Sequence, residues 1–298
     1  MALNPMTIRE ALAEGTASLA ASNIENPGLD SSLLLAEVLK TSRSSLIAAG
    51  QDNVSEALVA TFRQLIKRRQ SGECTAYILG RKEFYGLEFT VNPTVLVPRP
   101  DTETLVELVG TGDWGLGTGG QGQERPPRVL DLCTGSGAIA ITLKHTMPEL
   151  EVWATDISAE ALETAKANAA RLLPPDSIHF FQGDLYNALL PRTPYPIPYT
   201  LILSNPPYIP TAEIPSLPPE VRMEPALALD GGDDGLDVIR KIVSRAPEFL
   251  CPGGSLLLEA DPRQMKDIAA LYKEAGFSDI QTHKDLSGKE RVISGIII

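Results

Sequence analysis

From residue 128 onward, short apolar runs alternate with amphipathic stretches. Residues 129–132, 152–155, 178–181, 199–203 and 255–259 read as strands, and 199–203 is an apolar run that reads as a buried parallel strand. Between them, residues 138–146, 159–172, 236–249 and 264–274 carry apolar side chains at helical spacing, and 291–298 reads as a closing strand. This alternation predicts an α/β fold: a mostly parallel sheet with helices on both faces. The first third differs in kind. Three segments, at 10–13, 33–39 and 57–66, have helical periodicity, with Asn26-Pro27-Gly28 supplying a turn and Asp30-Ser31 a cap. Residues 1–80 are therefore expected to form a small helical bundle, without a catalytic constellation. Residues 83–91 alternate like a strand pair around Gly86, giving a hairpin linker at 81–97. After it, Asp101 or Thr102 is placed to cap a helix running through Val109.

Composition narrows the classes. The chain has 298 residues and 43% hydrophobic content, enough for a large core with one large and one smaller domain. No run of 18 apolar residues suggests a membrane span, and the first residues do not read as a signal peptide. Three cysteines, Cys74, Cys133 and Cys251, are odd in number and lack metal-ligand spacing, which fits a reduced cytoplasmic setting without a metal. A formal charge of −12 makes duplex DNA a poor partner. The dense basic cluster Lys67-Arg68-Arg69 reads as a solvated helix end that complements the helix dipole, with a docking patch as the alternative.

Candidate chemistry concentrates at strand ends. Asp131-Leu132-Cys133-Thr134-Gly135-Ser136-Gly137 follows the first strand and opens a helix, and its glycines let the backbone turn tightly against a ligand. Asp156 ends the next strand 21 residues beyond Gly135, where a nucleotide-binding fold places the carboxylate for the ribose hydroxyls. Asp184 ends the third, where a carboxylate could accept from an adenine amino group; alone, it could equally be a turn residue. Three acids around a Gly-rich turn with no following lysine suit an adenosine without phosphates. Ser204-Asn205-Pro206-Pro207-Tyr208 ends the fourth strand. Its two prolines make a stiff turn offering an amide, carbonyls and an aromatic face, which suits a planar group bearing an NH₂: a substrate amide or a base. Cys133 has nothing nearby to lower its pKa and reads as a small apolar residue, and His145, His179 and His283 are isolated. Gly115, Gly117 and Gly120 fit G-x-G-x-x-G, but no strand precedes them, so 111–127 reads as a flexible loop.

Together, the turn from Asp131 to Gly137, Asp156, Asp184 and Asn205-Pro206-Pro207-Tyr208 resemble a class I S-adenosylmethionine-dependent methyltransferase with its Rossmann-like sheet. Val97-Pro98-Arg99-Pro100-Asp101-Thr102-Glu103 resembles more narrowly the peptide chain release factor glutamine methyltransferases (HemK/PrmC family). So do Glu224-Pro225-Ala226-Leu227, the stretch from Gly231 to Asp237, Pro252-Gly253-Gly254 and Arg291-Val292. The resemblance implies a helical substrate-recognition domain at 1–80 and a methyltransferase domain at 98–298. It implies S-adenosylmethionine bound by Cys133, Thr134, Gly135, Ser136, Gly137, Asp156, Asp184, Leu185 and Asn205. It also implies the glutamine of the Gly-Gly-Gln loop of class 1 release factors as substrate, held by Asn205, Pro206, Pro207, Tyr208, Arg99 and Pro100. By the same resemblance, the Asn205 oxygen and the Pro206 carbonyl accept the two amide hydrogens and Tyr208 packs on the amide near the sulfonium. The sequence departs from the family pattern at Ala260-Asp261-Pro262, at Cys74-Thr75 and in the length of 111–127. The alternatives are an adenine methyltransferase acting on DNA, a glutamine methyltransferase of another translation protein, and a binding module without turnover. The chain's own Gly119-Gly120-Gln121 adds self-methylation as a further possibility.

Overall fold

The computed structural model describes residues 6–112, 114, 126–190 and 198–298. Gly115, Gly117 and Gly119-Gly120-Gln121 lie outside the described residues. The chain divides into two compact units, one of residues 1–81 with 218–223, the other of 82–217 with 224–298.

The first unit is built from α1 (Ile8–Ala20), α2 (Pro27–Leu39), α3 (Arg43–Ala48), α4 (Glu56–Gln70) and α5 (Thr75–Leu79). Thr7 and Glu10 form a capping box that starts α1. The helices bury one apolar face each, among them Leu19, Leu34, Leu35, Leu46 and Phe62. Two expectations change here. Asp30 and Ser31 lie inside α2, which starts at Pro27. Asp30 instead meets Arg69, whose Nε donates to it at 2.7 Å. Arg69 is therefore buried rather than a solvated helix end, and Glu220 approaches it at 3.4 Å. A buried guanidinium has to be paired, which is why two carboxylates converge on it.

The second unit begins within a hairpin of β1 (Arg81–Phe84) and β2 (Leu87–Thr90). Tyr85 and Gly86 both take positive φ, the backbone of a tight two-residue turn. A 3-10 turn over Pro100–Thr102 runs into α6 (Glu103–Thr111). Neither Asp101 nor Thr102 caps this helix, because Thr102 is already helical and its hydroxyl is engaged elsewhere.

The remaining elements are β3 (Arg128–Leu132), α7 (Ala138–Thr146), β4 (Glu151–Asp156), α8 (Ala159–Leu172), β5 (Ile178–Gln182) and β6 (Tyr199–Ser204). Short helices α9 (Pro219–Arg222) and α10 (Ala226–Leu229) follow, then α11 (Asp237–Arg245), β7 (Leu250–Glu259), α12 (Met265–Glu274), β8 (Phe277–Lys284) and β9 (Glu290–Ile297). The seven-stranded sheet has the order β5-β4-β3-β6-β7-β9-β8; β3 to β7 pair parallel and β9 runs antiparallel to both its neighbours. Alternate residues face opposite layers. Val129, Leu201, Leu203 and Leu257 pack with Leu105, Ile139 and Leu143, while Leu130, Leu132, Ile202 and Leu256 pack with Ile239, Ile242 and Ile268.

The periodicity overran at α11, where Pro247 converts the last turn to 3-10 geometry. It missed β8, an edge strand whose residues are half exposed and polar and whose Asp279 takes a positive φ. Such a polar edge blunts unwanted pairing and also erases the apolar signal.

Gly15 tests the bundle packing. A Cβ there would lie 2.6 Å from the Phe62 ring and 2.6 Å from the Ser31 hydroxyl. Alanine gains about 1 kcal/mol of helix propensity, whereas overpacking a buried ring costs about 1–3 kcal/mol. Gly15→Ala is expected to lower the unfolding free energy of the full chain by about 1–2 kcal/mol in denaturant titration. A gain of about 1 kcal/mol would mean that the ring moves aside freely.

Candidate active site

Register puts the chemistry on one level. Leu132 pairs with Thr155 on one side and Ser204 on the other, and Ser204 pairs with Leu258. The next residue of each strand exit, Cys133, Asp156, Asn205 and Glu259, therefore emerges at the same height, at the carboxyl edge where strand order reverses. Two clamps hold the exits: the Ser204 hydroxyl donates to the Leu132 carbonyl at 2.7 Å, and Thr134 N–H donates to the Thr155 carbonyl at 3.0 Å.

A cavity of about 260 Å³ opens there. Its walls bring together Cys133, Gly135, Asp156, Asp184, Leu185, Asn205 and Pro207, with Val95, Leu96 and Leu227 among the apolar parts. The turn after β3 is strongly kinked: Cys133, Gly135 and Gly137 all have positive φ. Nothing lies within 4 Å of where a Cβ on Gly135 would point, so its backbone faces open space. Thr134 and Ser136 are buried and support the turn rather than line the cavity. Burial pushes the Cys133 thiol far up, leaving it without thiolate character.

The carboxylates differ in their surroundings. Asp131 is fully buried; one oxygen accepts from the Thr134 hydroxyl at 2.6 Å and from Ala140 N–H at 3.3 Å. Its other oxygen has no hydrogen-bond partner among the described residues, and burial raises the carboxyl to about 7. Asp156 accepts from the N–H groups of Gly135 and Ser158, each at 2.9 Å; burial raises its pKa while these bonds pull it back. Asp184 opens a 3-10 turn but makes no capping bond, so its exposed carboxylate stays available at the cavity.

Asn205 is tethered by one end. Its Nδ2 donates to Thr102 Oγ1 at 3.1 Å, and its oxygen accepts no hydrogen bond among the described residues. Pro206 and Pro207 are buried, and the Pro206 carbonyl is likewise unengaged. Tyr208 is held at both ends: Gln264 donates to its carbonyl at 2.9 Å and its hydroxyl reaches Glu259 at 3.4 Å. Arg99 pairs with Glu224, which also accepts from Val97 N–H at 3.2 Å, so Arg99 braces the loop beside the cavity; Pro100 is exposed. His145, His179 and His283 all lie away from the cavity lining.

Sequence reasoning missed the supporting polar residues. Asn168, buried in α8, accepts from Thr90 N–H at 2.8 Å and donates to the carbonyls of Thr90 and Ser136, tying the hairpin to the Gly-rich turn. A helix-disfavoured amide on an apolar helix face was its only signal. Gln264 gave none, and Thr102 and Arg291 stood out only within the stretches that carry the resemblance, because their partners are distant in sequence.

Comparison with known proteins agrees with this architecture. The PrmC N-terminal domain matches residues 10–80 and the methyltransferase small domain matches 122–215. The release factor glutamine methyltransferase of Deinococcus radiodurans is 38% identical over 97% of this chain and 98% of its own length. That of Bordetella pertussis is 41% identical over 91% and 95%. Among solved structures, the hMettl16 catalytic domain in complex with a MAT2A 3'UTR hairpin superposes with a TM-score of 0.55 at 13% identity, over 83% of each chain. A T. thermophilus 16S rRNA methyltransferase in complex with AdoMet and guanosine gives 0.51 at 22% identity, over 73% of this chain and 50% of its own. These last two are likenesses of fold. The cofactor is S-adenosylmethionine, and the residues present fit it: two carboxylates beside an apolar slot and a backbone turn open to a ligand. Among the described residues no cluster could hold a metal, and no helix is long and apolar enough to cross a membrane.

Asp131 makes a prediction about stability. Its folded pKa lies above the unfolded value, so the folded state keeps a proton that the unfolded chain loses as pH rises from about 4 to about 7. Relative to Asp131→Asn, the wild type is expected to lose stability across that window, on the order of a few kcal/mol at most. Urea unfolding of both proteins at pH 4.5 and 8 measures it, and an unchanged difference would refute the raised pKa.

Proposed function

Since this chain belongs to the release factor glutamine methyltransferase family, we propose that it methylates the side-chain amide nitrogen of the glutamine in the Gly-Gly-Gln motif of class 1 release factors. The observation that carries this reading is the one-ended tether of Asn205: with Nδ2 fixed on Thr102, the oxygen is left as an acceptor beside an unengaged Pro206 carbonyl. Two fixed acceptors match the two hydrogens of a primary amide, and a rigid Pro-Pro turn costs no reorganisation when they engage.

Asp156 would hold the ribose hydroxyls and Asp184 the adenine amino group, with the turn from Cys133 to Gly137 and Leu185 shaping the slot. When bound, S-adenosylmethionine supplies an electrophilic methyl group on a sulfonium. The chain's residues do the rest by orientation. An amide nitrogen is a weak nucleophile because its lone pair is delocalised, so Asn205 and Pro206 aim it rather than activate it, and positioning carries much of the rate. The nitrogen would gain the methyl carbon as the sulfur–methyl bond breaks and a neutral thioether leaves, and would give up one proton to water. The Tyr208 ring offers a flat face to the amide and about 0.5–2 kcal/mol of attraction to a nearby cation. Residues 1–80 would serve recognition of the protein substrate, and a translation factor as substrate places the reaction in the cytoplasm.

Radiolabelled S-adenosylmethionine tests the reading with three acceptors: a class 1 release factor, its variant with the motif glutamine replaced by alanine, and adenine-containing DNA. Label is expected on the native factor alone; label on DNA alone would overturn the proposal. Asn205→Ala is expected to lower kcat on the order of 10²-fold or more while leaving S-adenosylmethionine affinity within about 3-fold. Near-normal turnover would remove Asn205 from the mechanism.

A further inference from the structure

Behind Asn205 and Tyr208 sits an acid that the mechanism above does not use. Glu259 ends β7 and is 1% exposed. One oxygen receives the Tyr208 hydroxyl at 3.4 Å, and the other has no hydrogen-bond partner among the described residues. Thr102 accepts from Asn205 at 3.1 Å; burial raises the Glu259 pKa, and the Thr102 hydroxyl lowers it. A buried carboxylate without a full set of partners is costly, and such a group is retained at a cost in stability. A glutamine would avoid the charge at nearly the same volume.

We propose that Glu259 is a positioning residue for methyl transfer: through the Thr102 hydroxyl it fixes the Asn205 amide, and through the Tyr208 hydroxyl it fixes the aromatic ring. The inference rests on the reading of Asn205 and Tyr208 given above. A carboxylate offers both of its oxygens as acceptors; an amide or a protonated acid in its place has one acceptor oxygen and presents a donor at the other position. With one link lost, the Asn205 amide can turn, and a misplacement of about 1 Å can cost on the order of 10²-fold in rate.

The charged groups around it set the pH range. Burial raises the Glu259 carboxyl to about 7; Thr102 and Asp101 face it from the 3-10 turn before α6, Tyr208 from the exit of β6 and Arg291 from β9. Thr102, Arg291 and Tyr208 lower its pKa, while Asp101 raises it. Arg291 is itself shared with Asp101 at 3.0 Å and Asp285 at 3.4 Å, so it does not neutralise Glu259 outright. The carboxylate form therefore grows as pH rises through about 7.

The test measures kcat and KM for release-factor methylation from pH 6 to 9, normalised to S-adenosylmethionine binding sites so that only folded protein counts. Glu259→Gln is expected to lose about 10-fold or more in kcat at pH 8 with cofactor affinity unchanged, and to approach the wild type at pH 6. Thr102→Ser, which keeps the hydroxyl, should retain more of the wild-type kcat than Thr102→Val, which removes it. Thr102→Val should fall, and Thr102→Val combined with Glu259→Gln should fall by less than the product of the two single losses, because both cut the same link. Glu259→Gln with wild-type kcat at all pH values, or losses that multiply in the double variant, would overturn the positioning role. A wild type that fails to methylate the factor would instead overturn the substrate reading, which the same assay reports separately.

Discussion

The site depends on the alignment of β3 between β4 and β6. Because Leu132 is locked to Thr155 and to Ser204, three strands end together and their following residues share one level. A slip of one residue would turn Leu130 and Leu132 into the opposite layer, exchanging the two cores, so burial on both faces enforces the alignment. Catalytic geometry is thus inherited from packing: the leucines that fill the two layers also set where Asp156, Asn205 and Glu259 leave the sheet.

This explains what the sequence disclosed. Strands buried along nearly their whole length are dominated by apolar residues, so β3, β4 and β6 were legible, together with the helices between them, and the edge strand β5 was legible from Ile178, Phe180 and Phe181. The strand exits were legible because glycines, prolines and acids interrupt those runs sharply, as at Gly135, Asp156 and Pro206. β8 was not, since an edge exposed to water carries Asp279, Gln281 and Lys284 in place of an apolar face. The short turns of α9 and α10 were hidden for another reason: four residues contain too little periodicity to read.

The candidate site was legible only in its front row. Cys133, Gly135, Asp156, Asp184, Leu185 and Asn205 line the cavity, each adjacent in sequence to a strand end. The layer behind them is assembled across long separations: Thr102 meets Asn205 over 103 residues, Glu259 meets Tyr208 over 51 and Gln264 meets Tyr208 over 56. Within any one segment these residues look ordinary. The stretch from Pro98 to Glu103 stood out as a resemblance, yet the work of its residues is visible only in three dimensions. Arg99 braces Glu224, Asp101 meets Arg291, and Thr102 anchors an amide on another strand.

Asp131, inside β3, and Glu259, at the end of β7, are both buried acids whose pKa burial raises to about 7. A sequence selected for durability alone would carry asparagine and glutamine there, since each would spare the fold a buried charge. The chain instead accepts a weaker fold at those two positions. Efforts to harden this protein should therefore begin in the helical bundle or at the polar edge of β8, because at Glu259 the substitution that spares the fold a buried charge is the one that would blunt it as a catalyst.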